Sequence, residues 1–296
     1  MDVTANEMLL EIGRQIDRNR LPRVWNGGFV IPSESPSNST LGVEKAYERW
    51  KASRSPAGSW KGTAGWKRSA GGARSAGEAA SVLGAAARAA YGKELNDLYR
   101  AYPNSVVLPQ ERGFWLASES ILLPGLDRCA VFLLGIDVEG QVLRSWGFWL
   151  HALSLPRWIG PRHTNFNDGS ICAFEPTDGT WKFGDALVDL IDYYSVWAVR
   201  HLHLEVSGRW PGYQAVHHPY ERILEFRDDE YCGCSVPGRL YRDCCYAKDR
   251  RLNQLKLAID FSRWSRGGIR RPPAAIDNFV TGCGEAPDVA LLLTLE

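Results

Sequence analysis

Three successive apolar segments in the middle of the chain constrain its fold more than any other feature. They lie at residues 114–123, 130–138 and 142–152. Gly125 and Glu139-Gly140 fall between them, and segments this short and this close together favour strands joined by tight turns. Helical sequence flanks them over residues 78–102 and 185–206, and the second stretch is apolar on more than one side. Helix, antiparallel meander and helix in this order predict an α+β fold.

The segment between the third strand and the second helix carries the most reactive side chains. His163, Asn165 and Cys172 lie within ten residues, and Asn-Asp-Gly at 167–169 favours a tight turn. We expect this turn to fold the segment back and bring Cys172 close to Asn165. A thiol can act as a nucleophile on an acyl group, and an amide can stabilise the oxyanion that develops. Acidic residues that could orient an incoming amine are Asp168, Glu175 and Asp178.

Two other interpretations of these residues stay open. Cys172 could be a buried apolar side chain, which is the common situation of a free cysteine. His163 could form a catalytic dyad with Cys172, although a role in supporting the loop is favoured.

A second cluster of cysteines indicates a metal site. Four of the seven cysteines fall within fourteen residues, at Cys232, Cys234, Cys244 and Cys245. Two pairs of thiols separated by a Gly- and Pro-containing turn can converge on one tetrahedral zinc ion. Four thiolates leave no open coordination position, so the sequence predicts structural zinc. The alternative is four free thiols or a redox pair.

Composition excludes several classes of function and divides the chain. A net charge of +1 argues against strong electrostatic steering to nucleic acid. Because no apolar run reaches the length of a membrane span, we expect a soluble, cytoplasmic protein. No Gly-rich phosphate-binding loop is present, and no nucleotide or redox cofactor is implied. The predicted parts are a partly disordered basic extension and linker at 1–77, a catalytic domain at 78–226, a zinc knuckle at 227–250 and a tail at 251–296.

Two shorter predictions fall within the terminal parts. Residues 21–40, rich in Pro, Gly, Ser and Asn, predict a loop. Ala290 to Leu293 is a short apolar run that predicts an edge strand.

The segment 163–172, followed by Trp181, resembles the active site of ubiquitin-conjugating enzymes. That family has His-Pro-Asn, a short turn, Gly-x-Ile-Cys and then a Trp about eight residues further on. Here Thr164 replaces the Pro, the turn is one residue shorter and Trp181 is one residue further away. The resemblance extends over residues 93–226, a little under half of the chain.

This resemblance implies a fold and a reaction. The fold would be ubiquitin-conjugating-like, with an N-terminal helix, a meander sheet, an active-site loop and a long helix. Cys172 would carry an acyl group as a thioester and pass it to an amine, Asn165 would stabilise the oxyanion, and His163 would support the loop. Two alternatives are an inactive protein-binding module of the same fold and a hydrolase that uses Cys172 and His163.

The resemblance also implies partners. They are a ubiquitin-like modifier or acyl-donor protein and, as in bacterial relatives from antiphage operons of the CBASS type, a cGAS-like nucleotidyltransferase as the target. Activation would come from a partner such as an activating enzyme or from the acyl donor itself. Neither a membrane nor a specific nucleic acid is expected as a partner.

The cysteine cluster has a resemblance of its own. It is similar to the SEC-C motif at the end of SecA, which is appended to many bacterial proteins. Tyr241 stands three residues before Cys244, where that motif has its Tyr. The turn here is one residue longer, with Ser-Val-Pro-Gly in place of Gly-Ser-Gly. The resemblance implies the same four zinc ligands as the spacing does.

Overall fold

A five-stranded antiparallel sheet with helices on both faces gives the protein an α+β fold. The computed structural model describes residues 23–25, 28–30, 83–120, 128–151, 155–174, 179–216, 218–234, 238–268 and 270–295. A separate hairpin pairs β1 (Arg23–Trp25) with β2 (Gly28–Val30), where the sequence predicted a loop. Asn26-Gly27 between these strands is a strong hairpin signal that the loop prediction overlooked. The rest of the predicted extension at 1–77 lies outside the described residues.

The sheet confirms the predicted meander and adds a short strand at each edge. Its strands are β3 (Val106–Pro109), β4 (Gly113–Glu119), β5 (Arg128–Asp137), β6 (Val142–His151) and β7 (Arg157–Trp158), in that spatial order. Each strand is antiparallel to its neighbour. The two edge strands are four and two residues long, too short for an alternating pattern to be recognised in sequence.

The predicted helices α1 (Ala85–Ala101) and α2 (Leu187–Ser207) cover one face of the sheet, here called the helical face. Alternate strand residues point towards them, because successive side chains of a strand project to opposite faces. Buried members of this core include Tyr91, Leu95, Phe114, Phe132, Leu134, Trp149, Leu190 and Trp197. Gly147 of β6 allows α2 to approach closely, since a Cβ atom there would lie 2.7 Å from the Trp197 indole.

Among the described residues, four shorter helices follow α2, and the last one covers the opposite face of the sheet. They are α3 (Pro219–Glu225), α4 (Tyr246–Arg251), α5 (Gln254–Trp264) and α6 (Ala274–Thr281). A 3-10 helix at Val289–Thr294 packs beside α6 on this C-terminal face. The buried core between the sheet and this C-terminal face includes Trp115, Val131, Leu133, Trp146, Phe148, Ile276, Phe279, Val289 and Leu292.

The C-terminal face corrects two predictions. Residues 251–296 were predicted to be a tail, but residues 276–295 within them supply one layer of the core. The run predicted to be an edge strand is part of the 3-10 helix. All seven residues of β4 are buried, so both faces of the sheet must pack against other elements. The helices α1 and α2 cover only one of these faces. The C-terminal residues provide that cover, and the carbonyl of Pro287 accepts a hydrogen bond from the indole of Trp115 at 2.6 Å.

One contact between the two long helices gives stability a pH dependence. Asp192 of α2 accepts a hydrogen bond from the hydroxyl of Tyr102, which ends α1, and burial raises the pKa of this carboxyl to about 6. A carboxyl with a higher pKa in the folded state than in the unfolded state destabilises the fold as pH rises between the two values. Asp192→Asn should therefore raise the free energy of unfolding at pH 8, by at most about 3 kcal/mol, and have little effect at pH 4.

Urea denaturation of wild type and variant at the two pH values measures this difference. The matched control is Asp97→Asn, an exposed acid on α1, which should show a much smaller pH-dependent change. An Asp192→Asn gain that is equal at both pH values, or larger at pH 4, would contradict the assignment.

Candidate active site and metal centre

The segment from His163 to Cys172 forms a tight hairpin, as the turn chemistry predicts. Thr164 and Ile171 form an antiparallel bridge, and the amide N–H of Cys172 donates to the carbonyl of His163 at 3.1 Å. The N–H of Ile171 donates to the carbonyl of Ser145 in β6 at 2.7 Å. The hairpin is therefore anchored to the sheet at the residue before the cysteine.

The turn of this hairpin is closed by Asp168. Its Oδ1 accepts hydrogen bonds from the backbone N–H and the hydroxyl of Ser170, at 2.9 and 2.7 Å. The indoles of Trp146 and Trp158 donate to the carbonyls of Asp168 and Gly169, at 2.6 and 3.1 Å. The carboxyl of Asp168 is buried, which raises its pKa, and its contacts stabilise the turn. The other two candidate acids, at 175 and 178, lie outside the described residues.

The side-chain amide of Asn165 points back along the hairpin. Its Nδ2 donates to the hydroxyl of Ser170 at 3.0 Å and to the carbonyl of Ile171 at 3.4 Å. This places the amide donors against the residue that precedes Cys172, as expected for a segment that folds back.

His163 is held in a fixed, neutral form. Its Nε2 lies 3.1 Å from Oε1 of Gln214, which also accepts a hydrogen bond from Arg162 at 2.7 Å. Because that oxygen is an acceptor, Nε2 of His163 carries the proton. Burial, followed by the nearby charge of Arg162, lowers the pKa of His163 well below its ordinary value.

The surroundings of His163 fit a supporting role. Its ring packs on Trp210 with centroids 4.0 Å apart, and its carbonyl accepts a hydrogen bond from the indole of Trp197 at 2.8 Å. The Nε2–H of the His163 ring is engaged by Gln214, which fits the supporting role that the sequence favours over a dyad with Cys172.

Cys172 opens onto a cleft of about 230 Å³, here called the Cys172 cleft. The hairpin, α2, the segment 210–216 and α3 form its walls, and Arg270 closes one side. Three charged groups of the wall are paired with one another, because Arg270 forms ion pairs with both Glu221 and Glu225. Arg200 of α2 also lines the cleft. The thiol therefore faces a space large enough for a small acyl group or an extended peptide end.

The C-terminal residues brace the tip of the hairpin from outside. Phe166 packs edge-on against Phe261 and Trp264 of α5, with centroids 5.1 and 5.3 Å apart, and the guanidinium of Arg270 lies over its ring at 4.0 Å. A Cβ atom on Gly268 would lie only 1.7 Å from Oδ1 of Asn167. The chain after α5 therefore fits tightly against the turn.

A buried ion pair links the hairpin to the cysteine-rich segment. Arg162, next to His163, pairs with the carboxylate of Glu230, and both side chains are less than 10% exposed. Oε1 of Glu230 also accepts from the N–H of Trp210 at 2.7 Å, and Gln214 donates to the carbonyl of Tyr231 at 2.9 Å. One network of hydrogen bonds thus connects the His163 ring to the start of the knuckle.

The four predicted metal ligands lie together in the knuckle at 227–250. Ligand sulfurs of Cys232, Cys234, Cys244 and Cys245 are all within 4.8 Å of one another. The sulfur of Cys244 is 3.5 Å from that of Cys234 and 3.9 Å from that of Cys245. Thiolates about 2.3 Å from a tetrahedral zinc ion stand about 3.8 Å apart, so this donor set fits such an ion. The cluster could hold a metal ion and is consistent with structural zinc.

Sequence reasoning missed the residues that surround the hairpin. They are Arg162, Arg200, Trp210, Gln214, Glu230 and Arg270. One signal was available, because Arg200 directly follows the apolar run Val196 to Val199 in the helix, where a charged side chain is unusual. The other residues are brought to the site by long-range packing.

Comparison with protein-family models, with curated proteins and with solved structures finds no match for this chain. Across the described residues, no helix combines the length and the apolar character that crossing a bilayer requires. The site is therefore interpreted from its own geometry and chemistry.

Proposed function

We propose that this protein is a ubiquitin-conjugating-like acyltransferase in which Cys172 carries an acyl group as a thioester. The observation that carries the proposal is the position of Cys172, at the end of a hairpin anchored to β6 and facing a cleft walled by α2. The order of α1, meander, hairpin and α2 is the one that this fold requires.

The reaction would take place in two steps on the same sulfur. The thiolate of Cys172 attacks the carbonyl carbon of the donor, a C–S bond forms, and the donor's leaving group departs with the electron pair of the broken bond. An amine, such as a lysine side chain, then attacks the thioester carbonyl, a C–N bond forms, and the thiolate leaves as the amine loses its proton. Splitting one acyl transfer in this way lowers each barrier.

Asn165 is the residue proposed to stabilise the oxyanion. Its bond to the carbonyl of Ile171 is 3.4 Å long, beyond the ordinary range of N–H···O bonds. Because this bond is weak, its N–H can turn to a developing negative charge next to Cys172. The bond to Ser170, at 3.0 Å, would keep the amide in place during that movement.

His163 is proposed to position the hairpin. Nε2 of His163 donates to Gln214 and so cannot accept the proton of the thiol. The hydrolase alternative would instead need the other ring nitrogen, Nδ1, within hydrogen-bond reach of the sulfur.

The proposed metal would act away from the reacting carbonyl. Zinc bound by the four thiolates supplies a tetrahedral cross-link with no open coordination position. Burial raises the pKa of the Cys232 thiol, so a bound cation would be needed to hold it as a thiolate at neutral pH.

The proposal is tested by trapping the acyl group. The protein is isolated with the products of its neighbouring genes and analysed by intact mass with and without a thiol reductant. Wild type should carry an adduct that thiols release, Cys172→Ser an ester that resists thiols, and Cys172→Ala no adduct. The control is Cys283→Ser, which removes an exposed thiol and should keep the labile adduct.

The same experiment separates the alternatives. No adduct on any folded, metal-loaded form would favour the protein-binding module. An adduct that persists in Cys172→Ala would place the acyl group on another residue and overturn the assignment.

A further inference from the structure

Arg200 is a cationic side chain of the Cys172 cleft that forms no ion pair with any residue that the structure describes. It lies one turn after Trp197 on α2, and both residues line the cleft. Its Nε is buried and makes no hydrogen bond. Within the part of the chain that the structure describes, no hydrogen bond or ion pair engages its other guanidinium nitrogens either. The other arginine of the cleft wall, Arg270, is already paired with two glutamates.

The environment of Arg200 makes its charge available to a ligand. Burial lowers the pKa of Arg200 to about 10, so the guanidinium is still protonated at neutral pH. The Nε–H of Arg200 is buried without a hydrogen-bond acceptor, which costs free energy, and an anion that enters the cleft would relieve this. The charge also reaches across the cleft, where it is one of several causes, after burial and Arg162, that lower the pKa of His163.

We propose that Arg200 binds a carboxylate of the acyl donor and so selects donors with an acidic group near the carbonyl that Cys172 attacks. A guanidinium presents two parallel N–H donors that match a carboxylate. The charged residues that line the cleft, Arg200, Arg270, Glu221 and Glu225, sum to zero, so a monoanion enters more easily than a dianionic phosphate. This inference rests on the proposed role of Cys172 as the acyl acceptor.

The test compares two alkylating reagents of similar size and different charge. Iodoacetate carries a carboxylate and iodoacetamide is neutral. With either one, the thiolate attacks the methylene carbon, a C–S bond forms, and iodide leaves as the C–I bond breaks. Peptide mapping gives both rate constants at Cys172 and, in the same molecule, at the exposed Cys283. At each cysteine, the iodoacetate rate constant is divided by the iodoacetamide rate constant. This ratio cancels the differences in thiolate fraction and exposure between Cys172 and Cys283.

In wild type, the ratio of iodoacetate to iodoacetamide rates should be about tenfold higher at Cys172 than at Cys283, as expected for one charge-assisted pair. Arg200→Gln should lower the Cys172 ratio to that of Cys283, and Arg200→Lys should keep part of the difference. The control Arg157→Gln, at an exposed ion pair with Glu205, should leave both ratios unchanged. Equal ratios in wild type, an unchanged ratio in Arg200→Gln, or no alkylation of Cys172 by either reagent would overturn the proposal.

Alkylation needs no acyl donor, so its outcome is independent of the trapping experiment. A selective ratio without a trapped adduct would support anion binding at Arg200 and reject the acyltransferase. A trapped adduct without a selective ratio would reject the role of Arg200 alone. Arg200 makes no ion pair with a described residue, so its removal leaves no carboxylate unpaired and should not impair folding. Thermal melting of Arg200→Gln checks this directly.

Discussion

Replacing Arg162 with alanine should lower the free energy of unfolding by about 3–5 kcal/mol, because Glu230 would be left buried without its counter-charge. The substitution should also weaken neighbouring hydrogen bonds, since Glu230 accepts from the N–H of Trp210 and Arg162 donates to Gln214. We expect the His163 ring to lose its fixed orientation as a result. Urea denaturation gives the energy, and the His163 ring resonances in an NMR spectrum report the orientation.

A matched control and a double variant make this prediction sharper. Arg157→Ala removes a pair that is largely exposed and should cost less than about 1 kcal/mol. The double variant with Arg162→Ala and Glu230→Ala should be less destabilised than the sum of the single variants, because the unpaired charge is gone. A loss below about 1 kcal/mol for Arg162→Ala would show that the pair is not buried in solution.

Removing the metal, or replacing Cys244 with serine, should release the whole segment from the knuckle to α5. Structural zinc sites contribute about 10–16 kcal/mol of apparent binding free energy, and a knuckle this small has little core of its own. The buried pair of Arg222 with Asp249, at 2.8 Å, joins α3 to α4 directly after the last ligand and should be lost with it. Hydrogen exchange should therefore rise over 227–268 and change little in α1 and β5.

Metal analysis and hydrogen exchange test this together. Purified wild type should contain one zinc ion per chain, Cys244→Ser substantially less, and Cys283→Ser the same as wild type. Full zinc retention in Cys244→Ser, or unchanged exchange over 227–268 after chelation, would contradict a structural metal at this cluster.

Local patterns in the sequence were sufficient to predict the three long strands, the two long helices, the hairpin and the cysteine cluster. The three long strands and α1 and α2 follow from periodicity, which reports each segment's own buried side. The Asn-Asp-Gly turn predicted the fold-back of the hairpin for the same reason. The spacing of the four cysteines predicted their convergence, because ligands close in sequence need only one turn to meet.

The C-terminal face and the walls of the cleft could not be predicted in this way. Residues 267–275 look like a Pro-rich linker, and nothing local indicates that α6 covers a sheet more than a hundred residues earlier in the chain. Gln214 and Arg270 are likewise ordinary surface residues in sequence. Their positions depend on how complete layers pack, which single-sequence patterns do not encode.

The contact of α5 and Gly268 with the tip of the hairpin has a consequence for synthesis of the protein. During translation, Cys172 leaves the ribosome long before Phe261 and Trp264. A nascent chain can pair its strands while the reactive loop still lacks its outer support. Cys172 would therefore reach the geometry described here only after residues 261–268 have been synthesised, which delays its proposed reaction with acyl donors until then.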